Sequence, residues 1–339
     1  MAREIKPSLY HDSIVVDCLN GSALTPEIIA RWRASGVTAV NLTAVEIGHE
    51  FPAAVKDLAH VAETVQRHHA DLLLARTPDD IRLAKETDRV AIVLGLQDLE
   101  PIGRELSSLR TLFDLGVRIA QLTHNRQNYI GTGCTEADSG LTKFGGRVVE
   151  EMNRLGMIVD LSHCGPQTTL DAIECSGMPV MCSHANPRVI SDSPRNKSDQ
   201  IIRKLADGGG VIGIACWAPI VYRGNGKRPT LADVLDCFDY ALRLAGPNDV
   251  AIGSDLCEGI HATSETWAPI YGPRGTYPDV TGSLGDWYGF DTVYAEGLET
   301  ATQLPAVAEG LLERGHGEST VRKVLGENFL RLLAEVTGR

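Results

Sequence analysis

Two histidines, His163 and His184, close successive apolar runs at 157–163 and 179–184, and an aspartate, Asp255, closes another at 249–255. Gln97 ends the run 89–97, and His124 follows the run 117–123. Neutral imidazoles are good ligands for zinc and similar divalent ions. A carboxylate facing such an ion can take a proton from water whose pKa the cation has lowered and return it to a leaving amine. This chemistry puts His163 and His184 forward as metal ligands and Asp255 as the general base. A single histidine at the end of an apolar run is more often a hydrogen-bonded core imidazole. Two on consecutive runs, with an aspartate closing the last, favour a site. The stretch Ser193-Pro-Arg195-Asn-Lys197 places a guanidinium beyond a turn, a geometry suited to clamping a substrate carboxylate through two parallel hydrogen bonds, or simply a solvated surface arginine.

Such residues meet only if the runs they close lie side by side. Short β-branched runs alternate with longer amphipathic ones, the pattern of βα units around a parallel sheet. Eight strand runs are expected, at 13–17, 37–43, 89–97, 117–123, 157–163, 179–184, 210–216 and 249–255. A ninth run, 71–76, reads equally as a short extra strand or the end of a helix. Helical segments are expected at 26–35, 54–70, 144–155, 200–206 and 231–245, with 318–336 an amphipathic helical pair around Gly326. Eight units imply a TIM (β/α)8 barrel whose active site lies at the C-terminal ends of the strands, where the polar residues above fall. The chain is expected to be one barrel domain over 1–339, with an insertion near 258–290. Its core, 261–290, is dense in Gly, Pro, Trp and Tyr, and Trp267 and Trp287 there either wall the substrate or are packed surface.

The composition excludes several partners. With 32 Lys+Arg against 44 Asp+Glu, the net charge of −12 and the lack of a basic run leave a nucleic-acid backbone nothing to meet. The opening residues MAREIKPSLYHDS are charged where a secretory signal would be apolar, and no stretch approaches the ~18 apolar residues of a membrane span, so a cytoplasmic protein is expected. The eight cysteines show no C-x-x-C spacing and read as buried thiols. Cys134, in the loop Gly131-Thr-Gly-Cys134, is a third soft ligand, a nucleophile or a packed thiol; Cys18 and Asn20 are further candidates for the pocket wall.

Ordered motifs then show a resemblance. Leu122-Thr-His-Asn125, Gly140-Leu-Thr-Lys-Phe-Gly145, Glu151-Met-Asn-Arg-Leu-Gly-Met157, Asp160-Leu-Ser-His163, Cys182-Ser-His184, Pro194-Arg-Asn196, Gly253-Ser-Asp255 and Gly326-Glu-Asn-Phe-Leu-Arg331 resemble the membrane dipeptidase (renal dipeptidase, peptidase M19) family of amidohydrolase-like barrels. The resemblance implies a binuclear zinc hydrolase of dipeptides, including some with a C-terminal D-residue. It implies His163 and His184 as ligands of one metal, Asp255 as acid/base, His124 as stabiliser of the tetrahedral intermediate and Arg195 as the substrate-carboxylate clamp.

The sequence departs from the family where the other metal should sit. The His-x-Asp pair that ends the family's first strand is here Leu19 and Gly21, within Asp17-Cys-Leu-Asn-Gly21, and the bridging Glu is Gln97. Leucine and glycine cannot ligate through their side chains, and a neutral amide is a far weaker ligand than a carboxylate. The expectation is one zinc per chain on His163 and His184, with the Gln97 oxygen a doubtful third ligand, or a metal-free pocket. The losses also resemble a divergent bacterial branch found with genes for catabolism of betaines and other N-methylated amines. Three functions follow: hydrolysis of an amide C–N bond in a small molecule with a free carboxylate, lyase or isomerase chemistry on a betaine- or amino-acid-like compound, or a catalytically silent family member. A homodimer is expected.

Overall fold

The computed structural model describes residues 9–261 and 263–338. Nine parallel strands form one sheet: β1 (Val16–Asn20), β2 (Ala39–Thr43), β3 (Leu72–Ala75), β4 (Val90–Leu96), β5 (Val117–Gln121), β6 (Ile158–Asp160), β7 (Met181–Cys182), β8 (Val211–Ile214) and β9 (Val250–Ile252). Eight follow one another in the order β1-β2-β4-β5-β6-β7-β8-β9. The Asn20–Leu256 bridge, with Gly21 N donating to Leu256 O, brings the last strand back to the first. This is the expected TIM barrel.

The run 71–76, open in the sequence, forms β3. It pairs with the first half of β4, from Leu72 against Val90 to Ala75 against Val93, while β5 takes the second half from Leu94 onward. β3 is thus a wedge at the barrel's N-terminal end.

Side chains alternate across each strand, so each strand serves two cores. Val16, Ala39, Ala91, Ile119, Ile158, Met181, Val211 and Ala251, one from each of the eight ring strands, pack in one cluster with Phe329, Leu330 and Leu333 of the C-terminal helix Asn328–Thr337. Their neighbours Val40, Ile92, Ala120, Val159, Ile212 and Val250 pack with the surrounding helices. The segment 318–336, expected as two helices, is a continuous helical run in which Lys323–Glu327 forms a π turn. A Cβ at Gly326 would stand 2.5 Å from Ile14 O, so the absent side chain lets this turn seat against the start of β1.

The strands are shorter than their apolar runs, and the first is displaced from 13–17 to Val16–Asn20. β6, β7 and β9 stop at Asp160, Cys182 and Ile252, before His163, His184 and Asp255. The reason lies in two buried aspartates that take over backbone donors. Asp160 accepts from the N–H groups of Ser162 and Ser183, and Asp17 from those of Leu19 and Ser254. The functional residues therefore stand on the first loop residues, free of the sheet's alternation.

Because Phe329 plugs the end of the barrel away from the site and is wholly buried, Phe329→Ala should cost ~3–5 kcal/mol. Urea unfolding would show this as a lower midpoint.

Candidate functional site

Residues from loops after β4, β5, β6 and β9 meet in a cavity of about 270 Å³ whose walls include Gln97, His124, His163 and Asp255. His184, fully buried, meets it through His163: their Nε2 atoms lie 2.8 Å apart. The strand-end residues expected to converge do so.

Hydrogen bonds behind the two rings decide where their protons sit. His163 Nδ1 is 2.7 Å from Asn125 Oδ1, an acceptor, so Nδ1 carries the proton. His184 Nδ1 is 2.8 Å from Ser183 Oγ, which spends its own proton on Asp160 Oδ2 at 2.5 Å and so accepts from the ring. Both Nε2 atoms are left with lone pairs aimed at one another. Two such lone pairs at this distance repel unless a positive charge lies between them. A proton is a poor candidate, because burial first and then the Arg195 guanidinium hold both imidazoles well below the usual histidine range. A divalent cation suits the arrangement: two neutral imidazoles, each backed by a second hydrogen bond that fixes its tautomer, is the form in which histidine binds metals.

A second ion does not fit. Leu19 is buried in the apolar core, and a Cβ built on Gly21 would meet Cys257 Sγ at 2.7 Å, so that thiol occupies the space a longer side chain would need. Gln97 faces the cavity, but its Nε2 donates to Thr43 Oγ1 at 2.8 Å. Among the described residues no group of three or more His, Cys, Asp or Glu could hold a metal.

His124 stacks on His163, with ring centroids 3.9 Å apart and planes 25° from parallel. Burial and Arg195 push its pKa down to about 3, so it stays neutral. Asp255 adopts a left-handed backbone conformation, φ 61°, uncommon outside glycine. Its carboxylate accepts no hydrogen bond from any described residue, and burial raises its pKa to about 7 despite the opposing pull of Arg195. A neutral N–H donor and an unbonded carboxyl titrating near neutrality thus face the same cavity.

Arg195 is not where the sequence reading put it. It is 1% exposed and absent from the cavity wall; Nη1 donates to Ser162 O, Nη2 to His184 O at 3.2 Å, and buried Nε has no partner. The guanidinium is drawn behind the histidine pair because the carbonyls of the β6 and β7 loops need donors there. Lys197, also buried, does the same for Leu161 O and Cys164 O. Cys134 is not on the cavity wall; its thiol lies behind His163, donating at 3.2 Å to Asn125 Oδ1, the same acceptor that His163 uses. Cys18 is buried in the barrel core, and Asn20 is spent on Asp17 and Ser22.

The sequence reading missed Asn125 and the Asp160–Ser183 relay, although both lie inside the quoted histidine motifs, where a polar residue beside each ligand was the available signal. Of the aromatic wall, Tyr271, Tyr277 and Phe290 fall in the insertion expected as a wall, whereas Trp217 and Tyr294 were missed. Trp217, Tyr271, Tyr277, Phe290 and Tyr294 line the cavity together with Trp267. Of the two tryptophans left open, Trp267 is wall, whereas Trp287 packs on Tyr222 and Tyr288 outside it.

A sequence profile described as membrane dipeptidase (peptidase family M19) matches residues 40–286 and 278–338. An uncharacterised dipeptidase of Schizosaccharomyces pombe is 32% identical over 227 residues, 64% of this chain and 52% of that protein. Dipeptidase verJ of Clonostachys rogersoniana is 28% identical over 283 residues, 83% and 63% respectively. The matched region thus spans between half and two thirds of these curated relatives. An amidohydrolase structure from Pseudomonas aeruginosa superposes with TM-score 0.88 at 33% identity, covering 98% of both chains. A metallopeptidase of Rhodobacter sphaeroides, solved with a phosphinate mimic of L-Ala-D-Ala, shares the fold with TM-score 0.78 at 20% identity, covering 96% of this chain and 100% of that one.

The raised pKa of Asp255 has a stability consequence. The folded protein holds this proton up to about pH 7, whereas an unfolded carboxyl releases it near 3.8, so folding stability falls as pH rises between the two. In chelator-treated protein, Asp255→Asn should therefore raise the melting temperature by on the order of a few degrees at pH 8 and by almost nothing at pH 4. Equal shifts at both pH values would show that the carboxyl is not desolvated.

Proposed function

Because the chain belongs to the membrane dipeptidase family, we propose that it is a metal-assisted hydrolase of an amide C–N bond in a small amino-acid-like molecule, using one divalent ion of the zinc type on His163 and His184. The observation that carries this reading is the facing pair of Nε2 lone pairs, 2.8 Å apart, beside a cavity that also holds the unbonded Asp255. When bound, such an ion supplies Lewis acidity to polarise a carbonyl and lower the pKa of water.

The protein's own groups do the rest. Asp255, ionised above about pH 7, takes the proton of the attacking water at a carboxylate oxygen and hands it to the departing nitrogen. His124, neutral and with no hydrogen bond to any described residue, offers a ring N–H to the oxygen that gains negative charge. Its stacking on His163 holds it beside the metal-binding pair. The aromatic roof from the insertion excludes bulk water and strengthens these interactions.

No helix of the described residues is long and apolar enough to cross a membrane, and the proposed substrate is a soluble small molecule.

Elemental analysis of desalted protein should give at most one equivalent of zinc, and His163→Ala or His184→Ala should abolish both its retention and turnover of a panel of dipeptides and related amides. Asp255→Asn should keep the ion while kcat falls ~10²–10⁴-fold. Products formed in ¹⁸O-labelled water should carry the label in the new carboxyl group; label-free products would favour a lyase or isomerase instead.

A further inference from the structure

Asp17 in β1 and Asp160 at the end of β6 build the same brace twice. Each accepts the N–H of the residue two places on, Leu19 or Ser162, and reaches across to the neighbouring strand exit for both the N–H and the hydroxyl of a serine, Ser254 or Ser183. A functional residue follows each serine: Asp255 after Ser254, His184 after Ser183. At β6 the brace serves histidines on both strands, His163 and His184. At β1 neither Leu19 nor Asn20 lines the cavity, so on this side Asp255 is what the brace has left to serve.

Asp255 needs such support. Among the described non-glycine residues its left-handed φ of 61° is shared only by Asp88, which sits in the exposed turn before β4. A residue held there persists only where its surroundings over-determine it. Around Asp255 they do so through the backbone. The Ser254 N–H donates to Asp17 Oδ1 at 2.7 Å and the Ser254 hydroxyl to Asp17 Oδ2 at 2.5 Å. The same Ser254 oxygen accepts the Leu256 N–H at 3.1 Å, and the Asp255 N–H reaches Leu19 O at 3.1 Å. The hydroxyl that spans Asp255, from Ser254 to Leu256, is therefore oriented by Asp17. The carboxyl of Asp255 accepts no hydrogen bond from any described residue, so it is the backbone that aims it. Asp17 itself, 1% exposed and absent from the cavity wall, touches no substrate.

We propose that Asp17 is the positioning residue of the acid/base: through Ser254 it holds Asp255 in the left-handed conformation that aims the carboxylate into the cavity. The seam that closes the barrel, β9 against β1, thereby sets the geometry of proton transfer, as the Asp160 brace sets that of the histidine pair. The proposal rests on Asp255 being the general base, as the functional reading has it.

Asp17→Asn keeps the size of the side chain and one acceptor oxygen but sets an amide NH2 against the Ser254 hydroxyl. Full-length protein loaded with zinc should lose about 10–100-fold in kcat, the cost of a misplaced reacting group, while KM for the amide it turns over and zinc retention stay within about twofold. In the Asp255→Asn background the same substitution should change the residual kcat by less than about twofold, because a residue that acts through a carboxylate has nothing to act on once that carboxylate is gone. Asp160→Asn is the contrast: the brace at the histidines should lower zinc retention instead. Crystal structures of Asp17→Asn and of the milder Ser254→Ala should show residue 255 out of the left-handed region. An undiminished kcat, an equal loss in both backgrounds, zinc lost as readily as from Asp160→Asn, or residue 255 still near φ 61° in both variants would each overturn the proposal. Ser254→Ala, which leaves Asp17 its other bonds, decides the matter if Asp17→Asn does not fold. The conformation is read without turnover. A protein that hydrolyses no amide defeats the hydrolase reading alone, and an unmoved residue 255 in an active hydrolase defeats this one alone.

Discussion

The buried Asp160 carboxylate organises the candidate site. It lies at the end of β6 and accepts the hydroxyls of Ser162 and Ser183 together with both their backbone N–H groups. Charge-assisted bonds of this kind contribute ~1.5–3 kcal/mol each. Four of them oppose, without cancelling, the cost of burying the carboxyl, which desolvation still lifts above its usual range, and they tie the exits of β6 and β7 together. His163 and His184 each follow one of those serines. Their separation and the tautomer of His184 are consequences of the same knot, since Ser183 can accept from His184 only because its own proton goes to Asp160.

Charge is layered around the histidine pair. Arg195 and Lys197 lie behind it, buried and bonded to loop carbonyls, while Asp255 stands across the cavity without a bond of its own. Burial first, and then the Arg195 charge, keeps His124, His163 and His184 neutral, which is the protonation state a metal ligand and an uncharged N–H donor both need. Desolvation lifts Asp255 towards neutrality, into the range where a carboxyl both accepts and returns a proton. The other half of a binuclear centre has been closed off rather than left open, with the Cys257 thiol against Gly21 and Gln97 tied to Thr43.

The insertion after β9 forms part of the cavity wall. Trp267, Tyr288 and Leu284 pack into a small core of their own with Tyr271 and Phe290. Tyr271 and Val293 also pack against Ala215 and Trp217 after β8, which ties this roof to the barrel and leaves π-rich surface over the cavity. Aromatic rings can form such a wall at little entropic cost because each has few rotamers to lose.

The barrel could be read from the sequence because hydrophobic alternation and helix spacing are local, and eight strand runs in βα order allow few other architectures. His124, His163, His184 and Asp255 were likewise legible, each being a polar residue at the end of an apolar run, and the loss of two ligands at Leu19 and Gly21 followed from side-chain chemistry alone. The run 71–76 stayed ambiguous because a four-residue strand and a helix end share the same apolar pattern; only pairing with β4 decided it. Arg195 was misplaced for a different reason. A long side chain's direction is set by whatever acceptors surround it, and the carbonyls of Ser162 and His184 come within its reach only after β6 and β7 are laid side by side. The same holds for the thiol that fills the space beside Gly21 and for the aromatic wall: local spacing fixes which residues can do chemistry, whereas contacts between distant segments fix which of them face the substrate.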